Sequence, residues 1–136
     1  MQFGGTSDAV ASQAMFEACL GNDINFFDTA HTYNGGLSER FLGKFIKQDR
    51  ENLIIATKAG YTGGSGGDNI LKQFDESRLR LDLDTIDILY LHRWDAETPL
   101  LETFETLSRL QETGKVRYIG VSNFAAWQVM KAQGVA

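Results

Sequence analysis

Four short apolar runs in this chain each stop on polar side chains, and stretches with helical spacing separate them. Residues 24–27 end on Asp28, with Tyr33 five residues further on. Residues 54–57 end on Lys58, residues 86–91 on His92, and residues 116–121 on Ser122 and Asn123. A strand buried on both faces of a parallel sheet reads as a near-continuous apolar run, and such sheets present their chemistry at the carboxyl ends of the strands. The pattern therefore predicts one site assembled from several strand ends.

Between the runs lie amphipathic segments. Thr6, Ser7 and Asp8 offer caps for a helix over residues 8–20 that Gly21 ends. Residues 38–47 follow the glycine-rich loop 31–36, with Leu37, Phe41, Leu42, Phe45 and Ile46 on one helical face. A third helix is expected over residues 69–81, with Ile70, Phe74, Ser77 and Leu81 as its stripe. A fourth has Pro99 in its first turn and reaches Thr113, where Gly114 stops it, with Leu101, Phe104, Leu107 and Leu110 facing inward, and a last one begins near Ala125. Phe3-Gly4-Gly5 reads as the tail of a further strand. Strict alternation with short connections predicts a parallel sheet with right-handed crossovers, in a single domain over residues 1–136. Residues 60–68 hold five glycines and read as a mobile loop over the sheet mouth, without a phosphate role because they do not spell the dinucleotide fingerprint. The charge-alternating run 75–84 reads as a solvated helix face, and His31 as a solvated loop residue.

Composition narrows the function classes. A net charge of −5 argues against nucleic acid and anionic membranes as partners. No apolar run approaches the roughly 20 residues that span a bilayer, and the first residues have neither the basic start nor the apolar core of a signal peptide. The single Cys19 allows no disulfide within the chain and suits a reducing, cytoplasmic setting. No His/Cys ligand cluster is present, so no metal is expected.

Asp28, Tyr33, Lys58 and His92 together suit one reaction. An ammonium beside a phenol favours its ionised form, and a carboxylate beside the ammonium holds it charged and in place. Tyr33 with Lys58 and Asp28 would be a general acid toward a carbonyl oxygen, and His92 a hydrogen-bond donor to the same oxygen as charge develops there. Hydride addition to the carbonyl needs a cofactor, since no side chain supplies hydride.

The segments INFFDTAHTYNGGLSERFLGKFI, NLIIATKAG, TIDILYLHRWD and GKVRYIGVSNF occur in this order, and through them the chain resembles the aldo-keto reductases along essentially its whole length. That resemblance implies a parallel (β/α)8 TIM barrel and NADPH-dependent reduction of an aldehyde or ketone. It implies a catalytic tetrad of Asp28, Tyr33, Lys58 and His92. Asp28, Ser122 and Asn123 are implied as cofactor contacts, the last two at the nicotinamide carboxamide, and Trp94 as a substrate-pocket residue.

A (β/α)8 barrel takes roughly 250 residues, and 136 would supply about the first five βα units, so the barrel is expected to be truncated. Its edge strands and inner face would be uncovered, which predicts self-association or a need for a missing half. The resemblance leaves a rival open. The family also includes channel-associated regulatory subunits, so a catalytically silent fragment or binding module on the same fold is the alternative.

Overall fold

The computed structural model describes residues 2–136. Four strands, β1 (Phe26–Asp28), β2 (Ile54–Ala59), β3 (Ile86–Leu91) and β4 (Val116–Val121), form one sheet in the order β1-β2-β3-β4. All three pairings are parallel, with Phe27 opposite Ile55, Thr57 opposite Leu89, and Leu89 opposite Ile119. The crossovers carry α2 (Leu37–Phe45), α3 (Gly67–Leu81) and α4 (Leu100–Glu112), while α1 (Ala9–Leu20) precedes β1 and α5 (Ala126–Gln133) follows β4. Asp8 caps α1 as expected, its Oδ1 accepting from the Ala11 amide at 2.9 Å.

The core lies between the helices and one face of the sheet. Phe27, Ile55, Leu89 and Leu91 meet Phe16, Leu42, Ile70, Phe74, Leu81 and Leu107 there. Each such side chain removed from water contributes about 1.5–3 kcal/mol. Helices α2 and α3 pack closely because position 43 is glycine: a Cβ there would stand 2.7 Å from the carbonyl oxygens of Arg80 and Leu81. The opposite face is open in part, although Ala56, Ile86 and Val116 on it are buried. Phe26 and Ile54, neighbours on β1 and β2, are 41% and 39% exposed, and Tyr118 on β4 is 66% exposed.

Several sequence expectations are corrected. Phe3 and the glycines after it form a tight turn, with the Gly4 amide bonded to the Ser7 carbonyl at 3.0 Å. Phe3 makes only an isolated bridge to Ser7, and its ring rests edge-on against Phe45, 5.9 Å away. The buried face of α2 is Ser38, Glu39, Leu42 and Gly43, while Leu37 is exposed. On α4, Leu101 is exposed and Thr103 and Thr106 are buried with Phe104, Leu107 and Leu110. At about 100° per residue Leu101 lies roughly 120° round the helix from Leu107, away from the sheet. Residues 60–68 are tied down by many hydrogen bonds. Asn69 Nδ2 donates to the carbonyls of Thr62 and Gly64, the Ser65 amide donates to Asp95, and Thr103 donates to the Ser65 carbonyl. The Gly60 amide donates to Gln73 Oε1. Asp87, inside the apolar run 86–91, is buried and accepts from Arg50 and from the Ile55 amide, at 2.7 and 2.8 Å.

Candidate active site

The carboxyl ends of the strands converge on one rim. Asp28 is the last residue of β1, Lys58 lies near the end of β2, His92 follows β3, and Ser122 and Asn123 follow β4. Tyr33 opens a single 3-10 turn, Tyr33–Gly36, between β1 and α2. In that turn Asn34, Gly35 and Gly36 all have positive φ, which folds the chain back sharply enough to keep Tyr33 beside its strand.

Four of the residues expected at the site, Asp28, Tyr33, Lys58 and His92, are brought together. The Lys58 ammonium donates to Asp28 Oδ2 at 2.5 Å and to the Thr29 carbonyl at 2.8 Å. It stands 4.9 Å from the centroid of the Tyr33 ring and 5.9 Å from that of Tyr90. The Tyr33 and His92 rings meet edge to face with centroids 5.6 Å apart. Lys58 is nearly buried while the Asp28 side chain is 43% exposed, so the pair is sheltered on the lysine side and open on the carboxylate side.

His92 is fixed from behind. Its amide donates to the Ala59 carbonyl at 2.8 Å, and its own carbonyl accepts from Asn123 Nδ2 at 2.8 Å. Burial, reinforced by the Lys58 ammonium, holds the imidazole below its usual pKa, so the ring is neutral at neutral pH. Its Nδ1 is buried without a hydrogen-bond partner among the described residues. A buried N–H without an acceptor is costlier than a buried lone pair, so the ring's one proton belongs on Nε2, and His92 is a neutral donor.

Ser122 and Asn123 lie together at the rim. The Ser122 amide bonds to the Leu91 carbonyl, and Asn123 Nδ2 also reaches Ser122 Oγ at 3.2 Å. Asn123 takes the left-handed conformation, φ 56°, that asparagine tolerates better than most residues. Trp94 lies in an aromatic group, its ring centroid 5.4 Å from those of both Phe124 and Trp127.

Sequence reasoning missed three contributors. Thr29 helps through its carbonyl, which no residue pattern reveals. Tyr61 lays its ring 4.8 Å from that of His92, and the Arg93 guanidinium covers Tyr61 at 4.9 Å. An aromatic three residues after Lys58, just beyond a strand end, was the available signal for Tyr61. The charged run 75–84 is not uniformly solvated either. Arg80 is 16% exposed and reaches Glu39, which is 0% exposed, and His31 pairs with Glu76 at 2.7 Å. Among the described residues no three His, Cys, Asp or Glu side chains are grouped to hold a metal ion.

Chemically, the rim offers a phenol beside an ammonium, a neutral imidazole donor, and an amide and hydroxyl pair next to that imidazole. The sequence model of the Aldo/keto reductase family matches residues 1–136. A probable voltage-gated potassium channel subunit beta from Arabidopsis thaliana is 32% identical over 143 residues, which cover 98% of this chain and 44% of that protein. The aldo-keto reductase yakc [NADP(+)] of Schizosaccharomyces pombe is 34% identical over 142 residues, covering 96% and 42% respectively. Among solved structures, the aldo-keto reductase AKR11C1 from Bacillus halodurans in its holo form superposes with a TM-score of 0.88 at 30% identity, over 95% of this chain and 46% of that one. The chain thus spans a little under half the length of the relatives it matches. Its parallel sheet with alternating helices corresponds to the N-terminal portion of their (β/α)8 barrel. The chain belongs to the aldo/keto reductase family.

Proposed function

We propose that this chain carries the carbonyl-reducing site of an NADPH-dependent aldo-keto reductase. The observation that supports this best is the convergence of four side chains from four separate segments, with Lys58 Nζ 2.5 Å from Asp28 and 4.9 Å from the Tyr33 ring centroid, and His92 edge-on to that ring. In this reading Tyr33 gives the proton to the carbonyl oxygen of an aldehyde or ketone. Lys58, held by Asp28, supplies the positive charge beside it. His92, neutral and protonated on Nε2, donates to the same oxygen and orients the substrate.

The residues present fit the nicotinamide end of the cofactor. Asp28, Ser122 and Asn123 would hold it, Asn123 already being anchored to the backbone of His92. When bound, the cofactor supplies the hydride that no side chain can. Trp94 would line the substrate pocket. Cys19, with no disulfide partner in the chain, suits a reducing, cytoplasmic setting. No helix among the described residues is long and apolar enough to cross a membrane. The open face bearing Phe26, Ile54 and Tyr118, with the free edges of β1 and β4, favours association of the chain with a further copy or with the remainder of a barrel.

A second reading has its own support. The similarity to a probable channel subunit favours a binding module that keeps the reductase fold without turnover. Titration of the purified chain with NADPH by fluorescence, alongside its mass by light scattering, separates the two. The reductase reading expects saturable binding by an assembly larger than the monomer, and cofactor-dependent carbonyl reduction that Tyr33→Phe abolishes. Absence of binding at high micromolar NADPH would sink it in favour of the silent module.

A further inference from the structure

Arg80 has more partners than a surface arginine on α3 requires. Its Nη1 donates to the His31 carbonyl at 2.9 Å and to Glu39 Oε2 at 3.1 Å, and its Nη2 reaches Glu76 Oε2 at 3.3 Å. Its guanidinium also lies against the backbone of Gly36, where a Cβ would stand 2.7 Å from Cζ. His31 and Gly36 are the two ends of the loop that carries Tyr33. Arg80 therefore grips that loop at both ends and the following helix at Glu39.

The grip continues into β2. Glu39 is 0% exposed, and its other oxygen accepts from Thr57 Oγ1 at 2.6 Å. The His31 amide donates to the Lys58 carbonyl at 3.0 Å. One bonded chain thus runs from Arg80 through Glu39 to Thr57, the residue before Lys58, and another from Arg80 through His31 to Lys58 itself. A carboxylate buried this fully is tolerated only when paired and hydrogen-bonded, and truncating one partner leaves a desolvated charge.

We propose that Arg80 is a positioning residue that sets where the Tyr33 loop sits relative to Lys58, acting through Glu39, His31 and the close approach to Gly36. The proposal rests on the reading of Tyr33 as the acid for its effect on turnover, although the pinning of the loop stands without it. A phenol that must meet a carbonyl oxygen within hydrogen-bond reach is sensitive to displacements of an ångström, which cost about a hundredfold in rate.

The test is Arg80→Ala in the full chain, read two ways. Amide hydrogen exchange at His31 and Tyr33 should accelerate about tenfold or more, while exchange at His92, whose amide bonds to Ala59, stays as in the unmodified chain. With NADPH and a carbonyl substrate, kcat should fall about 10- to 100-fold with little change in the KM for cofactor, and added guanidinium ion at millimolar concentration should restore part of it. Unchanged exchange at His31 and Tyr33, or acceleration as large at His92, would overturn the proposal, the latter because it marks general loosening. If Arg80→Ala does not fold, Arg80→Lys carries the same test, since lysine keeps the charge opposite Glu39 but cannot reach Glu39, His31 and Glu76 at once. If the unmodified chain shows no turnover, the reductase reading fails, and the exchange measurement still decides the proposal.

Discussion

Thr57 and Lys58 are neighbours in β2, yet they point to opposite faces of the sheet, and the ion pairs beside them are built differently. On the helix-covered face, Thr57 touches the Glu39–Arg80 pair, whose members are 0% and 16% exposed and share further hydrogen bonds with His31 and Glu76. On the open face, Lys58 pairs with Asp28, whose side chain is 43% exposed. The first pair is closed off by α2 and α3, so its charges are satisfied by protein and fix the chain in place. The second keeps one side toward solvent and the Tyr33 and His92 rings, where a substrate carbonyl could enter. One face of the sheet encloses its charges, and the other leaves its carboxylate half exposed.

The largest expected effect tests the open face. Tyr33→Phe should lower the rate of NADPH-dependent carbonyl reduction by about 10²- to 10⁴-fold, measured as loss of NADPH absorbance, while cofactor affinity stays close to that of the unmodified chain. Retention of the full rate would remove Tyr33 from the role of acid.

Stability contrasts the two faces next. Phe74, on the inward side of α3, is 0% exposed, so Phe74→Ala should cost about 3–5 kcal/mol in a denaturant melt. Phe26, 41% exposed on the open face, should cost less than about 1 kcal/mol as Phe26→Ala in the dilute monomer. Equal losses would mean that the open face is covered in solution, and the light-scattering mass would then show by how many copies.

The smallest effect concerns pH. Burial, with the Lys58 ammonium, lowers the folded-state pKa of His92 below 6.5. The unfolded chain therefore takes up a proton that the folded one refuses. Stability should be full above about pH 6.5 and decline as pH falls below it. His92→Gln should flatten that slope between about pH 7 and pH 5, with melts at each pH as the check. A slope that persists in His92→Gln belongs to other groups.

Much of this was legible in the residues. The four apolar runs 24–27, 54–57, 86–91 and 116–121 each hold a strand, because mostly apolar residues between turn signals leave few alternatives to a parallel sheet. Asp28, Lys58 and His92 could be placed at strand ends from chain order alone, and the structure brings them together with Tyr33. Helix faces were harder. Leu101 belongs to a plausible stripe and is exposed, whereas Thr103 and Thr106 are buried. Periodicity gives the spacing of a stripe but not its rotation, and polar residues that find partners can occupy the inward side. Residues 60–68 read as mobile from their glycines, yet Asn69, Gln73, Asp95 and Thr103 hold them from other segments. Composition cannot show partners that arrive from distant parts of the chain.

The sequence by itself determined the alternation of strands and helices and the polar residues that end the strands. These follow from local pattern, since which side chains terminate a strand is written in their order. Only the tertiary structure decided that Glu39 and Arg80, 41 residues apart, form a buried pair, that the pair grips the Tyr33 loop, and that one face of the sheet is closed while the other stands open. The physical reason is that burial is a property of neighbours. A charge run along α3 looks solvated until the glycines at 36 and 43 let α2 and its preceding loop approach closely enough to enclose one of its arginines.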